Sequence, residues 1–230
     1  MPGSLKVKKT GGRGVLGLAL PLALLLFATP AAAQSTGDAD VLLDGLQKRY
    51  DDTPDFTADF TQETEVKTLH RSITAAGKVY FKKPGKMLWK YDDPEGQVVL
   101  ADGAFLYFYQ PEQQQVLKTR LGRAFLTDTP LSFLLGIGRL KKDFRGTVAS
   151  SRDGATVLDL TSRDGREDLG KLSLGVDGKN LDIRWARIED AVGNVTTVRF
   201  QGMERNVGLK DSLFRLQIPK EVDVLELGSP

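Results

Sequence analysis

The sequence predicts a mainly β protein with short helices. Its architecture is a single large curved antiparallel sheet of about eleven strands, unclosed, with helices covering its concave face. Three observations carry this. After residue 55, apolar and polar residues alternate with the period of a half-buried strand. The alternating runs are separated by turn sequences so short that neighbouring strands must run antiparallel. Helical periodicity is confined to one segment near the start and one in the middle. A closed barrel needs no cover, whereas an open curved sheet with one apolar face does.

The first 33 of the 230 residues stand outside this fold. Lys6, Lys8, Lys9 and Arg13 form a basic leader, Val15 to Phe27 is an apolar run short for a membrane span, and Ala31-Ala32-Ala33 follows. That order is the anatomy of a secretory signal, cleaved between Ala33 and Gln34. No cysteine follows the cleavage site, so the mature chain is expected to be soluble and not itself acylated. The leader holds four of the 32 basic residues and none of the 30 acidic ones, which leaves 28 against 30 in residues 34–230, a balance of −2. Such a chain is not nucleic-acid seeking. With no cysteine there is no disulfide framework or thiolate site. Residues 34–230 are enough for one domain with a sizeable core.

Asp38 to Tyr50 reads as the long helix, with Asp38 or Asp40 as cap, Leu42, Leu43, Leu46 and Tyr50 on one side, and Thr53-Pro54 as its end. Phe56, Ala58 and Phe60 then alternate with polar partners. Further strands are expected at about 73–82, 86–91, 97–101, 105–109 and 114–118. Pro84-Gly85, Asp93-Pro94-Glu95-Gly96 and Asp102-Gly103 turn the chain between them. Leu121 to Gly138 lacks alternation, and Pro130 to Leu135 reads as a short helix begun by proline and stopped by Gly136 and Gly138. Strand signals resume at about 147–151, 155–161, 170–176, 181–190, 195–201 and 214–218.

Catalytic chemistry finds little support. The single histidine, His70, lies in a polar stretch between strands without a positioned partner, and reads as a solvated turn residue. There is no G-x-S-x-G elbow. Asp92 and Asp93 are adjacent on a strand and point to opposite faces. Gly136-Ile137-Gly138-Arg139 lacks the preceding strand that a phosphate loop needs. The chain is therefore expected to be no enzyme and to use no cofactor or metal.

Between Phe56 and Lys118 the chain resembles the LolA family of periplasmic lipoprotein carriers. Phe56-Thr57-Ala58-Asp59-Phe60-Thr61-Gln62 is similar to the family's F-x-A-x-F-x-Q strand. Gly77 to Tyr91 resembles its strand, basic-proline turn and tryptophan-bearing return. Pro94, Gln97, Asp102-Gly103, Tyr107, Tyr109 and Pro111 continue the match. Thr129-Pro130-Leu131 is similar to the opening of the family's central helix, and Phe214 to Pro219 with Val222 to its last strand.

The resemblance implies an unclosed half-barrel with a helical lid over an apolar cavity. It implies a periplasmic carrier that accepts acylated lipoproteins from an ATP-driven releasing complex in the inner membrane and hands them to an outer-membrane acceptor. It further implies a latch: the family's arginine before the turn proline, which hydrogen-bonds the lid, is Lys83 here. Lysine keeps the charge but loses the planar fork, so either the lid is looser or other polar groups share the task. The competing reading of Lys83 is a solvated strand-end lysine beside Lys82 and Lys86. The family's mouth aromatic corresponds to Met87, whose flexible thioether suits variable acyl chains.

Covering an acyl chain is worth ~0.8 kcal/mol per methylene, so such chains do not cross water bare, yet a carrier must also release them. The expected cavity residues are Phe56, Phe60, Met87 and Trp89 from the sheet and Leu131, Phe133, Leu134 and Ile137 from the lid. The bland alternative for all eight is ordinary core. Two other functions compete: a lipid- or lipoprotein-sensing module on the same half-barrel, for which no second domain or membrane segment is visible, and a periplasmic hydrolase, which lacks nucleophile and base. A monomer is expected.

Overall fold

The computed structural model describes residues 36–121, 140–152, 154–163 and 171–227. The expected leader and the expected lid residues Leu131, Phe133, Leu134 and Ile137 lie outside the described residues. Helix α1 spans Thr36–Asp51. Strands β1 (Asp55–Val66), β2 (Arg71–Lys82), β3 (Lys86–Asp93), β4 (Val98–Asp102), β5 (Phe105–Gln110) and β6 (Gln115–Arg120) follow. A single helical turn, α2, covers Leu140–Asp143. Then come β7 (Phe144–Arg152), β8 (Ala155–Ser162), β9 (Lys171–Asp177), β10 (Ile183–Glu189), β11 (Val195–Arg205) and β12 (Asp223–Glu226). Among the described residues no helix is long and apolar enough to cross a membrane.

All twelve strands belong to one open sheet, ordered β12-β6-β5-β4-β3-β2-β1-β11-β10-β9-β8-β7. Neighbours are antiparallel except β12, which runs parallel to β6 at one margin. The expected final strand at 214–218 is not formed. Phe214 closes a 3-10 turn (Asp211–Phe214), and the last strand lies further on, at β12. Phe214 and Leu216 alternate because they pack on the outer face of β3 and β4, against Leu88 and Leu100, and not because they pair in the sheet. Alternation reports a buried face, whatever covers it.

The register defines the inner face. Leu158 stands opposite Leu174, Leu174 opposite Ala186, and Ala186 opposite Val198. Beyond β1 the same face continues through Ala58, Val79, Trp89 and Val99. Side chains alternate strictly across a strand, so this is one apolar surface spanning most of the sheet. Helix α1 covers its β7–β10 half: Ala39, Leu43 and Leu46 pack on Leu140, Phe144, Leu158, Leu160, Leu172 and Leu174. Burying one such leucine stabilises by about 2 kcal/mol. Gly146 on β7 permits the approach, since a Cβ there would lie 3.0 Å from Leu43 and Leu158.

Two ties fix the C-terminal stretch. The buried Asp55 carboxylate accepts backbone N–H groups from Val207 (2.7 Å), Gly208 (3.3 Å) and Leu209 (3.0 Å). Asp211 takes Lys82 Nζ at 2.6 Å and Lys86 Nζ at 2.8 Å on the outer face, and these contacts hold its carboxyl down at about 2.

Candidate functional site

The β1–β4 half of the inner face is built from rings. Phe60 and Trp89 are buried, with centroids 4.7 Å apart and edge-to-face, and Phe60 meets Tyr91 likewise at 5.1 Å. Phe56 stacks on Phe81 at 4.6 Å, and Met87 is buried in the same cluster. The four sheet residues expected around a cavity are thus gathered on one face: Phe60, Met87 and Trp89 inside the cluster and Phe56 partly buried against it. Burial pushes the Tyr91 phenol up to about 12, and its hydroxyl reaches Gln62 Oε1 at 3.4 Å. Trp89 Nε1 is buried and, among the described residues, has no acceptor.

A cavity of about 60 Å³ lies where this aromatic half meets the C-terminal end of α1. Leu46 and Tyr50 of α1, Ile183 of β10, Phe200 and Met203 of β11, and Phe56 line it. Of the four expected cavity residues that are described, Phe56 lines it and Phe60, Met87 and Trp89 do not.

Strand alternation sorts the three lysines near the β2–β3 turn. Lys82 and Lys86 point outward to Asp211. Lys83 points inward: its ammonium donates to the Tyr50 backbone carbonyl and sits 4.2 Å from the centre of the Tyr50 ring. That carbonyl belongs to the last turn of α1 and also accepts the Thr53 N–H at 3.0 Å, and a cation there suits the helix dipole. Lys83 therefore ties the sheet to α1. Partial burial lowers its pKa, opposed by the nearby Asp51 and Asp52 carboxylates. Burial raises the Tyr50 phenol well above its ordinary value.

A second polar tie at the same helix end is not visible in the sequence. Asp182, just before β10, meets Arg205 of β11 and lies 3.8 Å from Arg49 of α1. Arg205 also donates to Met203 Sδ at 3.1 Å. Burial lowers the Arg205 pKa, and the like charge of Arg49 adds to the effect. The signal that would find this group is two guanidiniums facing one carboxylate, and it exists only once β10, β11 and α1 are brought together.

His70 is exposed at the end of a 3-10 turn (Lys67–Leu69), and Asp92 and Asp93 are exposed at the end of β3. Among the described residues no three His, Asp or Glu side chains gather as a metal site. Among the described residues the site offers apolar contact and hydrogen-bond donors.

The sequence profile of the family described as "Outer membrane lipoprotein carrier protein LolA" matches residues 52–217. An outer-membrane lipoprotein carrier protein of Cupriavidus pinatubonensis is 33% identical over 187 residues, covering 80% of this chain and 86% of the relative. The protein of that name from Cupriavidus taiwanensis is 32% identical over 209 residues, covering 89% and 94%. Among solved structures, an uncharacterized conserved protein from Thermus thermophilus superposes with a TM-score of 0.53 at 14% identity, over 82% of this chain and 99% of that one. This last likeness concerns the fold alone.

Proposed function

Because the chain belongs to the LolA family of outer membrane lipoprotein carriers, we propose that it takes the acyl chains of lipoproteins leaving the inner membrane, carries them through the periplasm and delivers them at the outer membrane. On this reading residues 1–33 are the export signal, and N-terminal sequencing of the secreted protein should begin at Gln34. The donor is an ATP-driven releasing complex, the recipient an outer-membrane lipoprotein acceptor, and the carrier a monomer. The protein binds and releases, without catalysis.

The observation that carries the proposal is the division of one apolar face. One half packs against α1, and the other gathers the buried Phe60, Met87 and Trp89 beside the partly buried Phe56. These four, with Leu131, Phe133, Leu134 and Ile137 of the lid, form the proposed acyl site. On this reading a chain enters as the C-terminal turn of α1 parts from the sheet, and two polar ties, Lys83–Tyr50 and Arg49–Asp182–Arg205, oppose that parting. Closure competing against cargo gives the modest net affinity that a handover requires.

The test incubates residues 34–230 with inner-membrane vesicles that hold a triacylated lipoprotein and the releasing complex. With ATP, the lipoprotein should appear in the soluble fraction bound to the protein, and should then move to outer-membrane vesicles. Lipoprotein that stays in the pellet despite ATP overturns the proposal.

A further inference from the structure

The cavity beside α1 is apolar on one side and cationic on the other. Phe56, Phe200 and Met203 form the apolar side. Arg49 and Arg205 approach from α1 and from the end of β11, with the single Asp182 carboxylate between them. Each guanidinium brings five N–H donors and no acceptor. Against them stand Asp182 and, for Arg205, the weak acceptor Met203 Sδ. Arg49 Nε is buried and has no acceptor among the described residues. Asp182 Oδ1 is the one carboxylate oxygen that meets both guanidiniums, in contact with Arg205 and 3.8 Å from Arg49. Buried charged donors left unpaired are costly, and each asks for an explanation. The group thus holds donors in surplus over acceptors at the rim of an apolar hollow.

We infer that Arg49 and Arg205 form the polar end of an acyl-binding subsite, donating to the sp2 oxygen at the head of an acyl chain whose first methylenes lie on Phe56, Phe200 and Met203. The inference rests on the carrier reading and names the chemistry of one part of its site. Every acyl chain ends in such an oxygen: a carbonyl in an ester or amide, a carboxylate in a free fatty acid. These oxygens accept hydrogen bonds, which complements a group that only donates, and hydrogen bonds from a charged donor are the stronger kind. An alkyl chain without that oxygen would offer the buried Arg49 Nε no acceptor.

The test compares a cysteine peptide carrying two ester-linked palmitoyl chains with its dialkyl ether analogue, which has equal chains and no carbonyls. Binding to residues 34–230 is measured by calorimetry, with Arg49→Gln and Arg205→Gln as variants. The unaltered protein should bind the ester peptide about tenfold more tightly than the ether, and each variant should bring the two within about twofold. Palmitate displacing the ester peptide better than methyl palmitate assigns the subsite to free carboxylates, and equal displacement assigns it to anchored chains. Ester and ether bound alike by the unaltered protein, or weakened alike in the variants, overturns the inference. Neither peptide binding at all is instead the failure of the carrier reading. Should Arg205→Gln not fold, Arg49 decides alone, because its side chain is 42% exposed on α1 and tolerates substitution.

Discussion

The two halves of the inner face share a sheet and a register but are made of different side chains. Under α1 the face is mainly aliphatic: Leu158, Leu160, Leu172, Leu174 and Val176, with Phe144 beside them, meet Ala39, Leu43 and Leu46. From β1 to β4 it is aromatic, with Met87 among Phe60, Phe81, Trp89 and Tyr91. Branched aliphatic chains interdigitate and fix a helix in one place. Flat rings meeting edge-to-face, with a flexible thioether among them, leave a surface that repacks at lower cost. Trp89 Nε1, without a partner among the described residues, belongs to the aromatic half, and the cavity and both polar ties lie on the border. The difference teaches that a single apolar face need not be a single core. One half anchors the helix, and the other is the surface proposed for cargo.

The comparison breaks most easily at Leu158, which is fully buried under α1. Leu158→Ala should destabilise by about 3 kcal/mol in chemical denaturation, as expected for a leucine truncated in a tight core. Cargo bound per folded molecule should stay unchanged. A selective loss of binding at full stability would erase the distinction between the halves. Lys83→Leu acts on the border and should cost about 1 kcal/mol, because the lysine is partly exposed and its charged hydrogen bond is discounted for solvent. With closure weakened by that amount, lipoprotein should be accepted yet released to acceptor membranes several-fold more slowly. Transfer rates equal to those of the unaltered protein would remove Lys83 from the latch.

Much of this was legible in the sequence, and the reasons are local. Phe56, Ala58 and Phe60 announce β1 because strand alternation needs no knowledge of the partner. Pro84-Gly85 and Asp102-Gly103 announce the returns because their backbone preferences are their own. Lys83 is legible as a candidate but its partner is not, since that partner is a backbone carbonyl of α1 with no side-chain signature. The Arg49–Asp182–Arg205 group is illegible for another reason. Its members come from three distant elements, and Asp182 looks like one more polar residue after the Asp177-Gly178 turn. Phe214 and Leu216 misled because packing on the outer face produces the same alternation as pairing within the sheet. The half-barrel follows from short-range rules, whereas the border between its halves is a long-range product.

Trp89→Phe sharpens the comparison further. It removes a buried donor that lacks a partner among the described residues, at the cost of some ring area, so the two effects should offset to within about 1 kcal/mol. A tryptophan integral to a rigid core would cost several times more by the same denaturant measurement. Stability near unchanged with altered acyl-peptide affinity is the outcome expected of an adaptable surface.

The smallest effect, absent at neutral pH, comes from Tyr91. Its phenol is held up to about 12 by burial, against an ordinary value of 10.0. Between those values the unfolded chain has lost the proton that the folded chain keeps, so the folded state binds more protons and stability falls as pH rises through this window. Tyr91→Phe should abolish that part of the alkaline loss while leaving the melting temperature at pH 7 within a degree or two, since the hydroxyl's hydrogen bond to Gln62 is long at 3.4 Å. Absorbance titration at high pH should show one late phenol disappearing in the variant. If acyl peptides enter over this half of the face, bound peptide should delay the Tyr91 transition still further, because it deepens the dry surroundings that raise the pKa. An unshifted transition with peptide bound would place the chains elsewhere and leave the aromatic half as ordinary core.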